Sequence, residues 1–294
     1  MTPSDGKLRS IAETSGVRLA GVIGAPIAHS LSPSIHNEWA AREGASAHYI
    51  PLYVPDHDDA FTEAVDALKK LGFRGVNVTL PHKESAFRIA DRRTPTAEQI
   101  GAANMLTFSD DGIVADNSDA EGFAATLKNL FGDRAPSAPS ALVLGAGGSA
   151  RAVVVALKTL AGCEQVTIAN RTKEKAEAVA KHNGATVENW DARHDLVAAH
   201  DIIVNTTSLG MTGKSPLDVN LAALREGSAV IDIIYTPLKT ALLKAAEDHG
   251  ARTANGLEML IRQAVPGYKS WLGKTATVDD ALRSMLVSKL SHRR

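Results

Sequence analysis

Residues 141–150 read Ala-Leu-Val-Leu-Gly-Ala-Gly-Gly-Ser-Ala and run on as RAVVVALKTLAG to residue 162. An apolar run, a glycine turn and a second, longer apolar run predict a buried strand, a tight loop and a helix. Each small residue has its own task in that loop. Gly145 permits the sharp turn, Gly147 lets the backbone approach a pyrophosphate, and Ala150 keeps helix and strand close; Ala146, Gly148 and Ser149 complete the G-x-G-x-x-[GA] pattern. The helix start adds oriented N–H groups and positive potential for an anion. The expectation is a dinucleotide site at the first turn of a doubly wound α/β unit.

The next strand, QVTIAN, ends at Asn170, where a site specific for NAD places an Asp or Glu against the ribose hydroxyls. Here Asn170-Arg171-Thr172 follow, with Lys175 further on. No carboxylate repels a 2′-phosphate, and two cations can pair with it, so the expected cofactor is NADP(H). A solvated helix start with ordinary surface charges is the bland alternative.

The alternation continues in both directions. Downstream lie a helix from Lys173, the strands ATVEN, DIIVNTT and AVIDIIY, and a helix over 239–248. Upstream lie the strand RLAGVIG, a helix after Pro33, the strand AHYIPLYV, a helix over 56–71 with Asp56 as N-cap and Gly72 as its stop, and the strand RGVNVTL. NMLTFSDDGIVADN reads as a hairpin across Asp111-Gly112. Residues 132–140, with two prolines, read as a surface connection. GLEMLIRQAV and VDDALRSMLVSKL are late helices expected to pack back on the first domain, with Pro266-Gly267 kinking or ending the former.

Composition narrows the class. The 294 residues suit two domains, and 32 Lys+Arg against 33 Asp+Glu leave a charge of -1 that draws neither nucleic acid nor a membrane surface. Aromatics at 4 % suit close-packed helices on parallel strands. The lone Cys163 reads as a buried small residue. The ten histidines show no metal-ligand spacing, so no metal is expected, and His29 and His82 read as structural. Residues 1–16 are polar and carry no apolar targeting run, which gives a cytoplasmic expectation.

A second constellation lies in the first half: HSLSP at 29–33, VNVTLPHK at 76–83, GAAN at 101–104 and DNSD at 116–119. Ser30 and Ser32 precede a helix start, where they either cap it or join its N–H groups to hold a carboxylate. Lys83 and Asp119 offer a cation and a carboxylate from separate loops; taken alone they are as readily a surface pair.

Together with GAGGSAR, NRTKEKA, NTTSLGM, DIIYTPLKTALL and NGLEMLIRQA, these segments stand in the order found in shikimate dehydrogenases, and the chain resembles that family from about Gly21 to Gly273. The resemblance implies a two-domain α/β enzyme that reduces 3-dehydroshikimate to shikimate with NADPH in aromatic amino-acid biosynthesis. A substrate domain with a mainly parallel sheet (17–118 with 256–294) and a Rossmann-type NADP domain (119–255) would flank a cleft, after an extension, 1–16. It makes Ser30 and Ser32 carboxylate ligands, Lys83 with Asp119 the catalytic pair, and Thr79, Asn104 and Gln263 ligands of the ring hydroxyls, with Tyr235 closing over the substrate. Asn170, Arg171, Thr172 and Lys175 match the NADP clamp, and Thr207, Met211, Gly256 and Met259 the nicotinamide side.

Two departures stand out. The family's N-T-D-G is Asn117-Ser118-Asp119-Ala120 here, and its G-A-V-N-T is Gly101-Ala102-Ala103-Asn104-Met105. The alternatives are an NAD-using quinate/shikimate dehydrogenase or a paralogue acting on a related ring, a methylenetetrahydrofolate dehydrogenase type enzyme, and an NADP(H)-sensing regulator. Retention of Lys83 and Asp119 speaks against the last, and HSLSP against the folate enzyme. The expected assembly is a monomer or homodimer.

Overall fold

The computed structural model describes residues 16–132, 138–181, 183–272 and 276–292. The first half forms β1 (Arg18–Gly24), α1 (Ser32–Arg42), β2 (Ala47–Tyr53), α2 (Asp58–Lys70), β3 (Phe73–Val78), α3 (Lys83–Ile89), β4 (Arg92–Arg93), α4 (Pro95–Ile100), β5 (Met105–Ser109) and β6 (Gly112–Asp116). Its sheet runs β2-β1-β3-β5-β6-β4, with β1, β2 and β3 parallel and β5 antiparallel to both neighbours.

The second half forms α5 (Asp119–Phe131), β7 (Ser140–Leu144), α6 (Gly148–Val155), β8 (Gln165–Asn170), α7 (Lys173–Ala180), β9 (Thr186–Asn189), α8 (Arg193–Leu196), β10 (Ile202–Asn205), β11 (Ala229–Asp232), α9 (Ala241–Asp248), β12 (Arg252–Ala254), α10 (Leu257–Leu272) and α11 (Asp280–Ser291). Its sheet, β12-β11-β10-β7-β8-β9, is parallel throughout. This is the doubly wound order, with β7 at the centre and the switch between β7 and β10. Ala141, Leu142, Val143 and Leu144 are all fully buried, as a parallel strand covered on both faces requires.

Among the described residues the chain divides into two compact units, one of 16–97, 102–116 and 264–286 and one of 98–101, 117–263 and 287–292. Thus α5, although it precedes the 132–140 connection, packs within the second unit. Residues 133–137 of that connection and 1–15 of the extension lie outside the described residues.

The sheet of the first unit buries its two faces differently. Val76, Val78, Leu106 and Phe108 pack with Phe61, Val65 and Phe73 in one core. Gly75, Asn77 and Thr107 face the other way, by the two-residue period of a strand once it is reset at the register shift between Phe73 and Gly75. There Trp271 lies so close that a β-carbon at Gly75 would overlap its indole, and the indole Nε1 donates to Thr107 Oγ1 at 3.0 Å. His36 sits beneath, stacked on Tyr49 with ring centroids 3.9 Å apart and flanked by Trp39, Tyr268 and Trp271.

Of the two outcomes expected for Pro266-Gly267, a kink or an end, the helix does not end there: α10 runs through Pro266 to Leu272. Tyr268 donates to Glu43 Oε2 at 2.9 Å, Tyr268 and Trp271 are buried, and the Arg18 guanidinium donates to the Leu272 carbonyl. These tertiary contacts hold the helix across a residue that cannot donate to the ladder.

Other boundaries also move. The N-cap of α2 is His57, in extended conformation, not Asp56; it is Asp58, in the first turn, that is engaged, accepting from Ser85 Oγ at 2.6 Å and from Arg88. The hairpin loop is Asp110-Asp111, since Ser109 pairs with Gly112. Gly112 lies in the strand at φ +117°, and the Asp91 carboxylate, which accepts the Ile113 N–H at 2.7 Å, fills the place of a side chain. The helix read over 239–248 starts at Ala241, capped by Thr240. The short strands β4 and β12 carry too few residues to show a period.

His36 supplies a pH dependence. It is fully buried, neither ring nitrogen has a hydrogen-bond partner among the described residues, and burial lowers it to about 3. The unfolded chain takes up this proton near the ordinary value of 6.5 while the folded protein refuses it. The stability contribution is therefore present above 6.5 and is lost as pH falls toward 3. Between pH 7.5 and 4.5 wild type should lose about 2–3 kcal/mol relative to His36→Phe in denaturant titrations. Parallel pH profiles for the two proteins would contradict this.

Candidate active site and dinucleotide-binding loop

The loop after β7 needs its glycines for different reasons. Gly145 adopts φ +111°, its N–H donates to Ala169 O at 2.9 Å, and a β-carbon there would lie 2.7 Å from Thr206 Oγ1. Gly147 caps α6 at φ -85°, conformationally open to any residue, and a β-carbon there would meet nothing within 4 Å. The strain at Gly145 is thus internal, whereas the bareness of Gly147 faces open space, as close approach of a phosphate requires. Ala150 is fully buried between helix and strand. Ala146, Gly148 and Ser149 are half-buried along the same turn.

At the end of β8, Asn170 Nδ2 donates to Thr172 O at 2.8 Å and folds the turn back, while Arg171, Thr172 and Lys175 are exposed. The strand itself closes on Asn170 and not on a carboxylate. The residues fit a 2′-phosphate through two cations that remain in water.

At the end of β10, Asn205 Oδ1 accepts from Thr207 N–H and Thr207 Oγ1, at 3.0 and 2.8 Å, and so orients Thr207. Met211 and Tyr235 are half-buried on the segments after β10 and β11. Gly256 donates to Ile234 O at 3.0 Å, and a β-carbon there would overlap the Ile233 carbonyl. Glycine is therefore required at 256 by backbone packing alone. Met259 is buried in the first turn of α10, with its carbonyl 2.8 Å from where a β-carbon on Gly122 would stand.

In the first unit, Ser30 Oγ accepts the Ser32 N–H at 3.2 Å, while Leu31 occupies the N-cap without a side-chain bond. The serines therefore shape the turn into α1 without acting as its cap. Thr79 follows β3, with its N–H on Ile23 O at 2.9 Å and its carbonyl accepting from His82 N–H at 3.0 Å. Lys83, 7 % exposed, is the first residue of α3, and its carbonyl accepts the Ala103 N–H at 2.9 Å, which pins the 101–104 loop. The buried Asn104 donates its N–H to Asp116 O at 3.1 Å, and its carbonyl accepts from Asn77 Nδ2 at 3.2 Å.

Asp119, 5 % exposed, opens α5 in the second unit, its N–H bonded to Asn117 Oδ1 at 3.0 Å. Lys83 and Asp119 are both buried, so this lysine and this aspartate are not surface charges. Ser118, standing where the family has threonine, donates from Oγ to Gln263 O at 2.8 Å. Buried Gln263 donates from Nε2 to Leu260 O at 2.9 Å. Met105, the other departure, is a buried residue of β5.

His82 lies buried on Phe61, with Nε2 2.9 Å from Val54 O; His29 is exposed. Among the described residues no His/Cys/Asp/Glu cluster is placed to hold a metal ion, and no helix is long and apolar enough to cross a membrane. Cys163 is buried, and burial pushes its thiol up to about 11. The residues missed from sequence are those that hold others: Asn77, Asn205, Asp232 and Thr240. For Asn205 and Asp232 the signal was the polar residue closing an otherwise apolar strand, in DIIVNTT and AVIDIIY.

Residues 22–106 match the shikimate dehydrogenase substrate binding domain, and residues 128–233 match the shikimate / quinate 5-dehydrogenase family. The chain is 47 % identical over 273 residues to the shikimate dehydrogenase (NADP(+)) of Acidiphilium cryptum, covering 93 % of this chain and 97 % of that protein. The chain belongs to the shikimate dehydrogenase family. The crystal structure of the Thermus thermophilus member of this shikimate dehydrogenase family, in complex with NADP(H) and shikimate, is 32 % identical and superimposes with a TM-score of 0.81 over 93 % of this chain and 100 % of that one. The ligand-free 5-ketofructose reductase of Gluconobacter sp. is 31 % identical, with a TM-score of 0.81 over 93 % and 99 %. The same fold therefore carries more than one substrate class, and residues rather than fold must decide the substrate.

The two glycines separate experimentally in this shikimate dehydrogenase family member. Gly145→Ala should lower stability by about 1–3 kcal/mol through backbone strain and the Thr206 contact. Gly147→Ala should leave stability within about 0.5 kcal/mol, because its backbone suits alanine. It should nevertheless weaken NADPH binding by about tenfold or more, equal to about 1.4 kcal/mol. Normal NADPH affinity in Gly147→Ala, measured by fluorescence titration, would contradict the loop's assignment.

Proposed function

We propose that the protein is an NADP(H)-dependent dehydrogenase that interconverts shikimate and 3-dehydroshikimate. The observation that carries this is that a chain of this family keeps both Lys83 and Asp119, each buried at the first residue of a helix. NADP(H), when bound, supplies or accepts the hydride. Ser30 and Ser32 anchor the substrate carboxylate, and Thr79, Asn104 and Gln263 hold its hydroxyls. In the reducing direction Lys83 donates the proton that the carbonyl oxygen needs as negative charge develops there, and Asp119 orients Lys83 and bonds the neighbouring hydroxyl. Tyr235 covers the ring and excludes water. The first unit, with the later part of α10 and α11, serves the substrate, and the unit around β7 serves the dinucleotide. The protein acts in the cytoplasm as a monomer or homodimer.

Cofactor choice rests on Arg171 and Lys175. Arg171→Asp should lower kcat/KM with NADP+ about 10- to 100-fold more than with NAD+, the range of one charge-assisted hydrogen bond. Equal losses with both cofactors would overturn the assignment. An NAD-using quinate dehydrogenase is disfavoured by the same cations and by the missing carboxylate at the end of β8.

Lys83→Ala tests the chemistry. Turnover should fall roughly 10²-fold or more, the range of a positioned acid or base, with NADPH affinity nearly unchanged and the fold intact by circular dichroism. Turnover within a factor of a few of wild type would refute the role.

A further inference from the structure

Beyond the residues that would touch cofactor or substrate, one buried carboxylate has a full set of partners and no task in the proposed reaction. Asp232 closes β11, is fully buried, and stands in register beside Asn205, the last residue of β10. Its Oδ1 accepts from Asn205 Nδ2 at 3.0 Å and from the Ile234 N–H at 3.1 Å, and its Oδ2 accepts from Thr240 Oγ1 at 2.8 Å. All three partners arrive as donors. Thr240 Oγ1 also accepts the Leu243 N–H at the start of α9, and its proton has no acceptor in the web other than Asp232.

The web continues into the segments assigned to the nicotinamide side. Asn205 Nδ2 also donates to Leu209 O at 3.1 Å, and the Leu209 N–H donates to Thr207 Oγ1 at 3.1 Å. The Thr212 N–H reaches Thr236 O at 3.0 Å, joining the turn after β10 to the residue after Tyr235. Gly256 closes the set through Ile234 O. Every amide and carboxylate position in this web has one satisfactory orientation, so the two segments share a single arrangement.

We propose that Asp232 is a positioning residue that locks the Thr207–Met211 turn and the Tyr235 segment into one arrangement, and thereby aligns the nicotinamide end of the dinucleotide. This rests on the NADP(H) reading above. Asparagine at 232 has the same shape, but its Nδ2 would face the Thr240 hydroxyl, whose proton has no other acceptor in the web. Burial pushes the Asp232 carboxyl up to about 6 against these three hydrogen bonds, none of which comes from a charged group.

The test uses the full chain and two probes, NADPH and 2′,5′-ADP, the latter carrying the phosphates and adenosine without the nicotinamide. In Asp232→Asn, kcat/KM for NADP+ should fall about tenfold or more, as expected for a displaced reacting group, while the Kd for 2′,5′-ADP stays within about twofold of wild type. Thr240→Val should shift kcat/KM in the same direction, and Thr240→Ser, which keeps the hydroxyl, should restore it. A parallel loss of kcat/KM and of 2′,5′-ADP affinity, or kcat/KM within about twofold of wild type, would overturn the proposal. If Asp232→Asn does not fold, the Thr240 pair answers the same question by the same criteria. Failure of wild type to bind either probe would instead sink the NADP(H) reading itself.

Discussion

The parallel register of β7, β8, β10 and β11 is the constraint on which the rest depends. Parallel strands end together, so Gly145, Asn170, Asn205 and Asp232 come to the same edge of one sheet. Antiparallel pairing would have sent alternate strand ends to opposite edges. Because the chain beyond each end turns into a loop or helix start, backbone N–H groups, an arginine, two threonines and a buried carboxylate all gather where the order of strands reverses, the place that suits a dinucleotide. The glycine at 145 follows from the same geometry: β10 brings Thr206 against it, and no side chain fits.

The first unit reaches a comparable result with less regular means. Here β1, β2 and β3 are parallel, β4 pairs in parallel with β6, and the antiparallel β5–β6 pair brings Asn104 and Asp116 together at one end. What holds this sheet's second face is an aromatic cluster, with Trp39, Tyr49, Tyr268 and Trp271 around His36. Aromatics are only 4 % of the chain, so concentrating them there fastens the later part of α10 to a strand made bare by Gly75. Tyr49 also donates to Asn77 Oδ1 at 2.7 Å, which links this packing to the carbonyl of Asn104. Packing and site are thus one structure, not a scaffold with a site attached.

Much of this was legible because it is local. The strand–glycine–helix run at 141–155, the missing acid at 170 and the alternation of apolar runs each depend on neighbours in sequence. The helix start at 83 was not marked by a capping residue, and the placement of Lys83 came from resemblance. What sequence misjudged depends on distant partners. Pro266, expected to kink or end its helix, does not end it where Tyr268 and Trp271 are anchored on the first sheet. Asp56 looks like a cap until Ser85 and Arg88 show that Asp58 is the engaged acid. Asp232 carried only the weak signal of a polar residue closing an apolar strand, which is ordinary until Thr240 and Asn205 are seen to face it.

The central claim is that this arrangement serves hydride exchange between NADP(H) and the shikimate ring. Its most direct measurement is initial-rate absorbance of the reduced cofactor with the purified protein, offering shikimate and quinate each with NADP+ and with NAD+. The account predicts the highest kcat/KM for shikimate with NADP+. Absence of shikimate turnover, or a higher kcat/KM for quinate or with NAD+, would contradict it.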